Sequence, residues 1–308
     1  MEWFRVFSMI SAFALVSLHA VPVTADAVAG TPAPVPVPEA EEIETSDDDA
    51  EYDDYDEGRD YEREETEDYF GARPFRVTVS TGVDYSTGDF GSPTDTDLLS
   101  VPFGLKLEWE PFVLKVSSSY LRIDGDVVPV GGSPEAVEGA SRLVSGIGDV
   151  VLAGTYVYYP GRKVSFLPVT EITGKVKFGT ANEDDGLGTG ETDYEIKLDL
   201  SKRFGRVTPF GAVGYKFIGE PEGVELRNKI FAYGGLTVRV LDMLNLGLAY
   251  DWSQSAVSGR PDFHELSPFA TIRFGRHFAI DPYAVVGLST PAPDWGIGLQ
   301  MRFIYDIE

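Results

Sequence analysis

The chain is 308 residues long, contains no cysteine and carries a formal net charge of −25. Missing thiols exclude disulfides, cysteine nucleophiles and cysteine-based metal sites, and the negative balance argues against a nucleic-acid partner. Of three histidines, His19 falls in the leader, which leaves His264 and His277 at opposite ends of one predicted strand.

Residues 1–25 read as a secretory signal. Arg5 is the single positive charge before the apolar run Val6–Leu18, which is too short to cross a bilayer as a helix. Val23-Thr24-Ala25 and Ala25-Asp26-Ala27 both offer small residues for cleavage. Residues 26–72 then read as a disordered periplasmic segment. It begins with a Pro-rich spacer over 28–38. Residues 39–69 follow, with 18 acidic side chains against Arg59 and Arg63, a net charge of −16. Such a stretch has too little apolar content and too much like charge to collapse. Asp53, Glu57, Gly58 and Glu64 match EF-hand loop positions, but Tyr55 stands where an oxygen ligand belongs. A diffuse polyanion is the preferred reading, with cations or basic partners as its candidate ligands. No cofactor is expected.

Residues 73–308 form one strand-rich domain in which twelve alternating stretches lie between Phe75 and Tyr305. Their joints alternate between tight and long. Tight joints are expected at Glu110-Pro111, Pro160-Gly161-Arg162, Gly205-Arg206, Leu241-Asp242-Met243 and Gly275-Arg276-His277. Polar loops are expected at 86–96, 123–143, 179–191, 219–227, 254–262 and 290–294. Short turns on one side and long loops on the other mark an outer-membrane barrel.

Within the stretches the alternation is regular. Tyr194, Ile196, Leu198 and Leu200 oppose Glu195, Lys197, Asp199 and Ser201; Leu244, Leu246, Leu248, Tyr250 and Trp252 oppose Asn245, Gly247, Ala249, Asp251 and Ser253. Aromatic residues collect at both ends. Trp109, Phe112, Tyr158, Phe204, Phe274, Phe278 and Phe303 sit beside tight turns, and Tyr85, Tyr120, Phe178, Tyr194, Phe217, Trp252 and Trp295 beside long loops. Two such belts suit two membrane interfaces. The fold class is therefore all-β, a transmembrane antiparallel up-and-down β-barrel of about twelve strands, with a disordered N-terminal tail. The expected location is the bacterial outer membrane, in contact with its lipid and with both termini periplasmic.

In that geometry one face of each strand lines a lumen. Its basic candidates are Arg76, Lys106, Lys115, Lys175, Lys177, Lys197, Lys216, Arg239, Arg273 and Arg302. Its acidic candidates are Asp84, Glu108, Asp149, Glu171, Glu195, Asp199, Asp251 and Glu265. They form either a cross-strand ion-pair lattice that fills the lumen or the selective lining of a water-filled channel. The sequence leaves these nearly even, with a narrow channel preferred. Loop 123–143, with Pro129, Gly131, Gly132 and Pro134, is the candidate constriction.

Two glycine motifs remain: Gly146-Ile147-Gly148-Asp149-Val150 opening the fourth strand, and Gly186-Leu187-Gly188-Thr189-Gly190 entering the sixth. The second lacks the helix and Gly-Lys-Ser/Thr ending of a phosphate cradle. Together with Lys175-Val176-Lys177-Phe178-Gly179-Thr180, Asp193-Tyr194 and Leu198-Asp199-Leu200-Ser201-Lys202, these motifs resemble the outer-membrane family named for the MetA pathway of phenol degradation. Thr208-Pro209-Phe210 and Asp294-Trp295-Gly296-Ile297-Gly298 are similar to its later strands. The resemblance is strongest over about 145–217. It implies a transporter-like barrel for small, often aromatic compounds, and no catalytic residues. The chain departs from the pattern at Phe178-Gly179-Thr180, in its acidic segment, and in ending Asp306-Ile307-Glu308.

Passage of small solutes, aromatic or hydrophobic ones among them, is thus the leading expectation. A structural or interaction barrel with a filled lumen is the first alternative. An outer-membrane hydrolase built on His264 with Asp262, Glu265 and Ser253, Ser255 or Ser258 is the second; the preferred reading is that the chain is not an enzyme.

Overall fold

The computed structural model describes residues 75–307, apart from 131–132, 137–141, 162–163, 165 and 222–223. The expected signal, the Pro-rich and acidic segments and the EF-hand-like spacing lie outside the described residues. Strands begin with β1 (Phe75–Gly88), β2 (Thr96–Trp109), β3 (Phe112–Gly125), β4 (Val127–Val130) and β5 (Ser133–Ala136). They continue with β6 (Arg142–Ile147), β7 (Val150–Tyr158), β8 (Val169–Phe178), β9 (Asp193–Ser201) and β10 (Val207–Phe217). The last are β11 (Lys229–Leu241), β12 (Leu244–Ser253), β13 (Phe263–Phe274), β14 (Phe278–Gly287) and β15 (Trp295–Ile307).

Strands β6 and β7 both pair with β3 and act as one wall strand. Tyr120 faces Ile147 while Ser117 faces Val151, so the β6–β7 side holds one residue more than β3 across this step. That extra residue is a bulge at Gly148-Asp149. Counted this way, the wall has twelve antiparallel strands, each paired with its neighbours in sequence. Strand β1 pairs with both β2 and β15, which closes the ring. Strands β4 and β5 form a separate hairpin.

The wall turns the usual distribution of polarity inside out. In β9, Tyr194, Ile196, Leu198 and Leu200 are exposed, whereas Glu195, Lys197 and Ser201 are buried. A soluble sheet buries its apolar face; this one buries its charged face. Val79, Leu105, Ile172, Leu236, Leu248 and Ile297 extend the exposed apolar band around the ring. A band that large is tolerated only against lipid. Aromatic residues flank it. At the short-turn end Trp109 and Phe112 lie 6.4 Å apart and Phe278 and Phe303 5.0 Å; at the long-loop end Tyr85 and Trp295 lie 5.6 Å apart.

Phe75 and Ile307 are register partners, so both ends of the barrel chain lie on the short-turn side. The connections follow the expected alternation with three corrections. The β7–β8 joint is not a tight turn at Pro160-Gly161-Arg162, because β7 ends at Tyr158 and β8 begins only at Val169. Pro160 and Pro168 bracket the gap, and neither has an N–H to donate to a ladder. Secondly, Gly146–Val150 does not open the fourth wall strand; it holds the bulge in its middle. Thirdly, the range 123–143 carries strands: β3 runs to Gly125, and β4 and β5 pair as a hairpin. Gly125 makes the exit from the wall, with φ of +148° and its Cα packed so closely on Thr96 that a Cβ would collide.

Candidate functional site in the barrel lumen

Because side chains alternate between faces, the inner surface is fixed by register. Most of the charged candidates there are tied into pairs. Arg76 meets Asp306 at 2.6 Å and Lys106 meets Glu108 at 2.8 Å. Glu195 joins Lys175 at 2.8 Å and Lys216 at 3.3 Å, bridging β8, β9 and β10. Lys177 lies 3.1 Å from both Asp149 and Asp193. Lys197 lies 3.1 Å from Asp199 and donates to the Tyr233 hydroxyl at 3.2 Å, while that hydroxyl donates to Asp199. Arg302 grips both oxygens of Asp281, at 2.7 and 2.9 Å, and Thr271 donates to the same carboxylate at 2.7 Å.

The other candidates occupy inner-face positions of different character. Lys115 lies in the electrostatic field of Lys106, Lys175 and Lys197, and Glu171 in that of Asp199 and Lys197. Arg239 and Arg273 are half-buried near the short-turn end. Asp84 accepts the hydroxyl of Tyr283 across the intervening strand β15. Asp251 and Glu265 are register partners, both buried. Three members of the lattice, Asp193, Asp281 and Asp306, were not among the candidates. Their strand parity was readable: Ala279, Asp281, Tyr283 and Val285 alternate as one buried face.

Sequence reasoning placed the aromatic residues in the outer belts and missed those inside. Phe210, Tyr233, Phe269 and Tyr283 form a buried cluster with Ala249 and Val285 on the inner face of β10–β14. The signal was a glycine at the register partner. Phe210 lies opposite Gly235, Phe231 opposite Gly214, Phe269 opposite Gly247 and Tyr283 opposite Gly298. A Cβ on any of these glycines would run into the facing ring, so each ring lies flat over bare backbone on the next strand.

The long-loop mouth is crossed by side chains. Phe90, Leu98, Leu121, Ile123, Val127, Ala181 and Leu187 form one buried cluster, and Val130, Ile218, Leu226 and Ala256 another. Val127 and Val130 are the two ends of β4. The hairpin therefore reaches from the β2–β3 side to the loops after β10 and β12, four to six wall strands further round. The bulge anchors a second cover. Asp149 accepts the backbone N–H groups of Thr180 and Ala181 at 2.9 Å each, and Leu187 packs over Gly146. The Gly-Ile-Gly-Asp motif thus holds loop 179–191 in place.

The hydrolase constellation does not assemble. The His264 ring shares a hydrogen bond with Tyr250 at 2.6 Å on the outer face, whereas Ser253 is buried on the inner face. Ser255 bonds the backbone of Val257 instead. His277 is bound to the Ile304 carbonyl, 3.0 Å away, at the opposite end of β13 and its following turn. Among the described residues, no three acids or histidines converge as metal ligands.

Comparison with known proteins gives a likeness of fold. An outer membrane channel from Pseudomonas putida F1 superposes with a TM-score of 0.57 at 16% identity, covering 77% of this chain and 97% of that one. The KdgM porin gives 0.43 at 8% identity, over 73% and 98% of the two chains. The toluene transporter TodX of P. putida gives 0.38 at 9%, over 77% and 90%. No protein-family model matches the sequence, and no curated protein matches it.

Proposed function

We propose that the chain forms an outer-membrane channel for small solutes, narrowed at its long-loop mouth by the β4–β5 hairpin. The observation that carries this reading is the inverted wall: a closed twelve-stranded ring, apolar outside, with a charged and hydrogen-bonding interior that lipid would reject. The shared fold with the Pseudomonas putida channel supports it. In this reading the paired charges from Arg76 to Arg302 line the solute path, and the long loops face outward with both termini in the periplasm. An aromatic or hydrophobic solute fits the flat rings of Phe210, Phe269 and Tyr283, which offer stacking surface beside hydrogen-bonding groups. That preference agrees with the resemblance to the phenol-degradation family. Catalysis has no place in the proposal.

One observation favours a second reading. Ion pairs and inner rings project from the wall into the lumen and two buried clusters lie at its mouth, which suits a solute-tight structural barrel. Single-channel recording of the refolded full chain in a planar bilayer separates the two. Discrete conductance steps, with a reversal potential in a salt gradient, support the channel. A folded but silent barrel would transfer support to the structural reading.

A further inference from the structure

Just inside the long-loop rim, Asp251 on β12 stands opposite Glu265 on β13. Both face inward and are sealed, at 1% and 0% exposure. All four of their carboxylate oxygens lack a hydrogen-bond partner. The neighbouring acids are treated differently: Asp281 holds Arg302, Glu195 holds two lysines, and Asp84 receives the Tyr283 hydroxyl. A third unsatisfied group lies one inward position further along β12. Ser253, the next inward position on β12, is 1% exposed and its Oγ has no partner.

Directly opposed residues on antiparallel strands have Cβ atoms about 4.5–5.5 Å apart. Two buried carboxylates at that spacing, with no hydrogen-bond donor to either among the described residues, repel each other. Such a pair persists in a fold when positive charge sits between its members. We propose that Asp251, Glu265 and Ser253 form a binding site for a hard divalent cation of the calcium type. Two carboxylates neutralise a divalent ion, and a set of five oxygens without nitrogen or sulfur selects an oxygen-seeking one. Calcium takes roughly 6–8 oxygens in loose geometry and accepts bidentate carboxylates. Magnesium demands a near-ideal octahedron at short distances, which two bidentate carboxylates do not supply. With no third acid or histidine converging among the described residues, water completes the shell. The ion would tie β12 to β13 immediately below the loop whose Ala256 packs in the same cluster as Val130 of the hairpin. The site does not depend on solute passage, so a silent barrel would leave it standing.

The test is the urea midpoint of the full chain refolded in detergent, with calcium, magnesium or sodium chloride at matched ionic strength. Calcium should raise the midpoint progressively with the logarithm of its concentration, and magnesium and sodium much less. The acidic segment is common to all variants, so differences between variants report on the wall. Asp251→Asn/Glu265→Gln should abolish the calcium response and raise the midpoint in ion-free buffer, because the repulsion is gone. Ser253→Ala should weaken the response while leaving the ion-free midpoint in place. An equal calcium shift in wild type and the double variant would overturn the site, as would an unaltered response in Ser253→Ala if the double variant fails to refold. A midpoint raised by acid alone, with no calcium effect, would replace the ion by a shared proton and also overturn it.

Discussion

The Asp281–Arg302 pair offers a direct measure of how dry the lumen is. The two side chains are 4% and 7% exposed and joined by two hydrogen bonds, with Thr271 on the same carboxylate. Unit charges about 4 Å apart attract by roughly 4 kcal/mol at an effective dielectric near 20, and by about 1 kcal/mol in water. Asp281→Asn removes one charge and leaves the guanidinium beside Lys106, which already feels both Arg302 and Arg76. In a sealed lumen that one-sided loss should cost about 3–5 kcal/mol. Arg302→Met should cost a similar amount, while the double variant should recover most of it, since two neutral groups need no compensation. The assay is equilibrium urea unfolding in detergent, followed by the heat-modifiable band shift, with the slope checked for constancy. If both single variants lose no more than about 1 kcal/mol, the pair behaves as a solvated surface bridge and the filled-lumen description at this level is wrong.

Three further outcomes follow from the same geometry. Gly247→Ala should destabilise by roughly 1–3 kcal/mol through collision with Phe269, whereas Gly154→Ala, which faces open space on the outer surface, should leave the urea midpoint unchanged or slightly raised. Val130→Asp should loosen the hairpin from Ile218, Leu226 and Ala256 and increase single-channel conductance; unchanged conductance would remove the hairpin as the constriction. Asp149→Ala should free loop 179–191 by deleting two charge-assisted backbone hydrogen bonds, worth roughly 1.5–3 kcal/mol each locally. A glutamate-specific protease should then cut at Glu183 or Glu191 in the variant before the wild type.

The wall was legible in the sequence because period-2 alternation is a local property. Tyr194 to Ser201 already separates its two faces, and neither face needs a partner strand to be recognised. What alternation could not say was which face is wet. That came from the belts and from the spacing of turns, which only make sense together around a closed ring. The misses have a common cause. The Gly148-Asp149 bulge depends on a one-residue mismatch with β3, and the β7–β8 connection depends on where pairing stops, not on where turn residues sit. Likewise Asp281 gains its role only when β15 brings Arg302 beside it. Inner aromatics such as Phe269 look like belt residues until register supplies Gly247 as the opposing position.

Those glycine–ring pairs bear on assembly as well as on the lumen. A strand that slips by one residue turns its charged face to lipid, so odd errors are rejected by the membrane. A slip by two keeps every side chain on its proper face and escapes that check. Here it would not escape the rings. Moved two places, Phe269 would meet Asn245 or Ala249 in place of Gly247, Phe231 would meet Ala212 or Lys216, and Phe210 would meet Tyr233 or Thr237. Each wrong partner has a Cβ where the ring must lie. Lipid proofreads odd slips of this wall, and bare backbone proofreads even ones at the β10–β11 and β12–β13 seams.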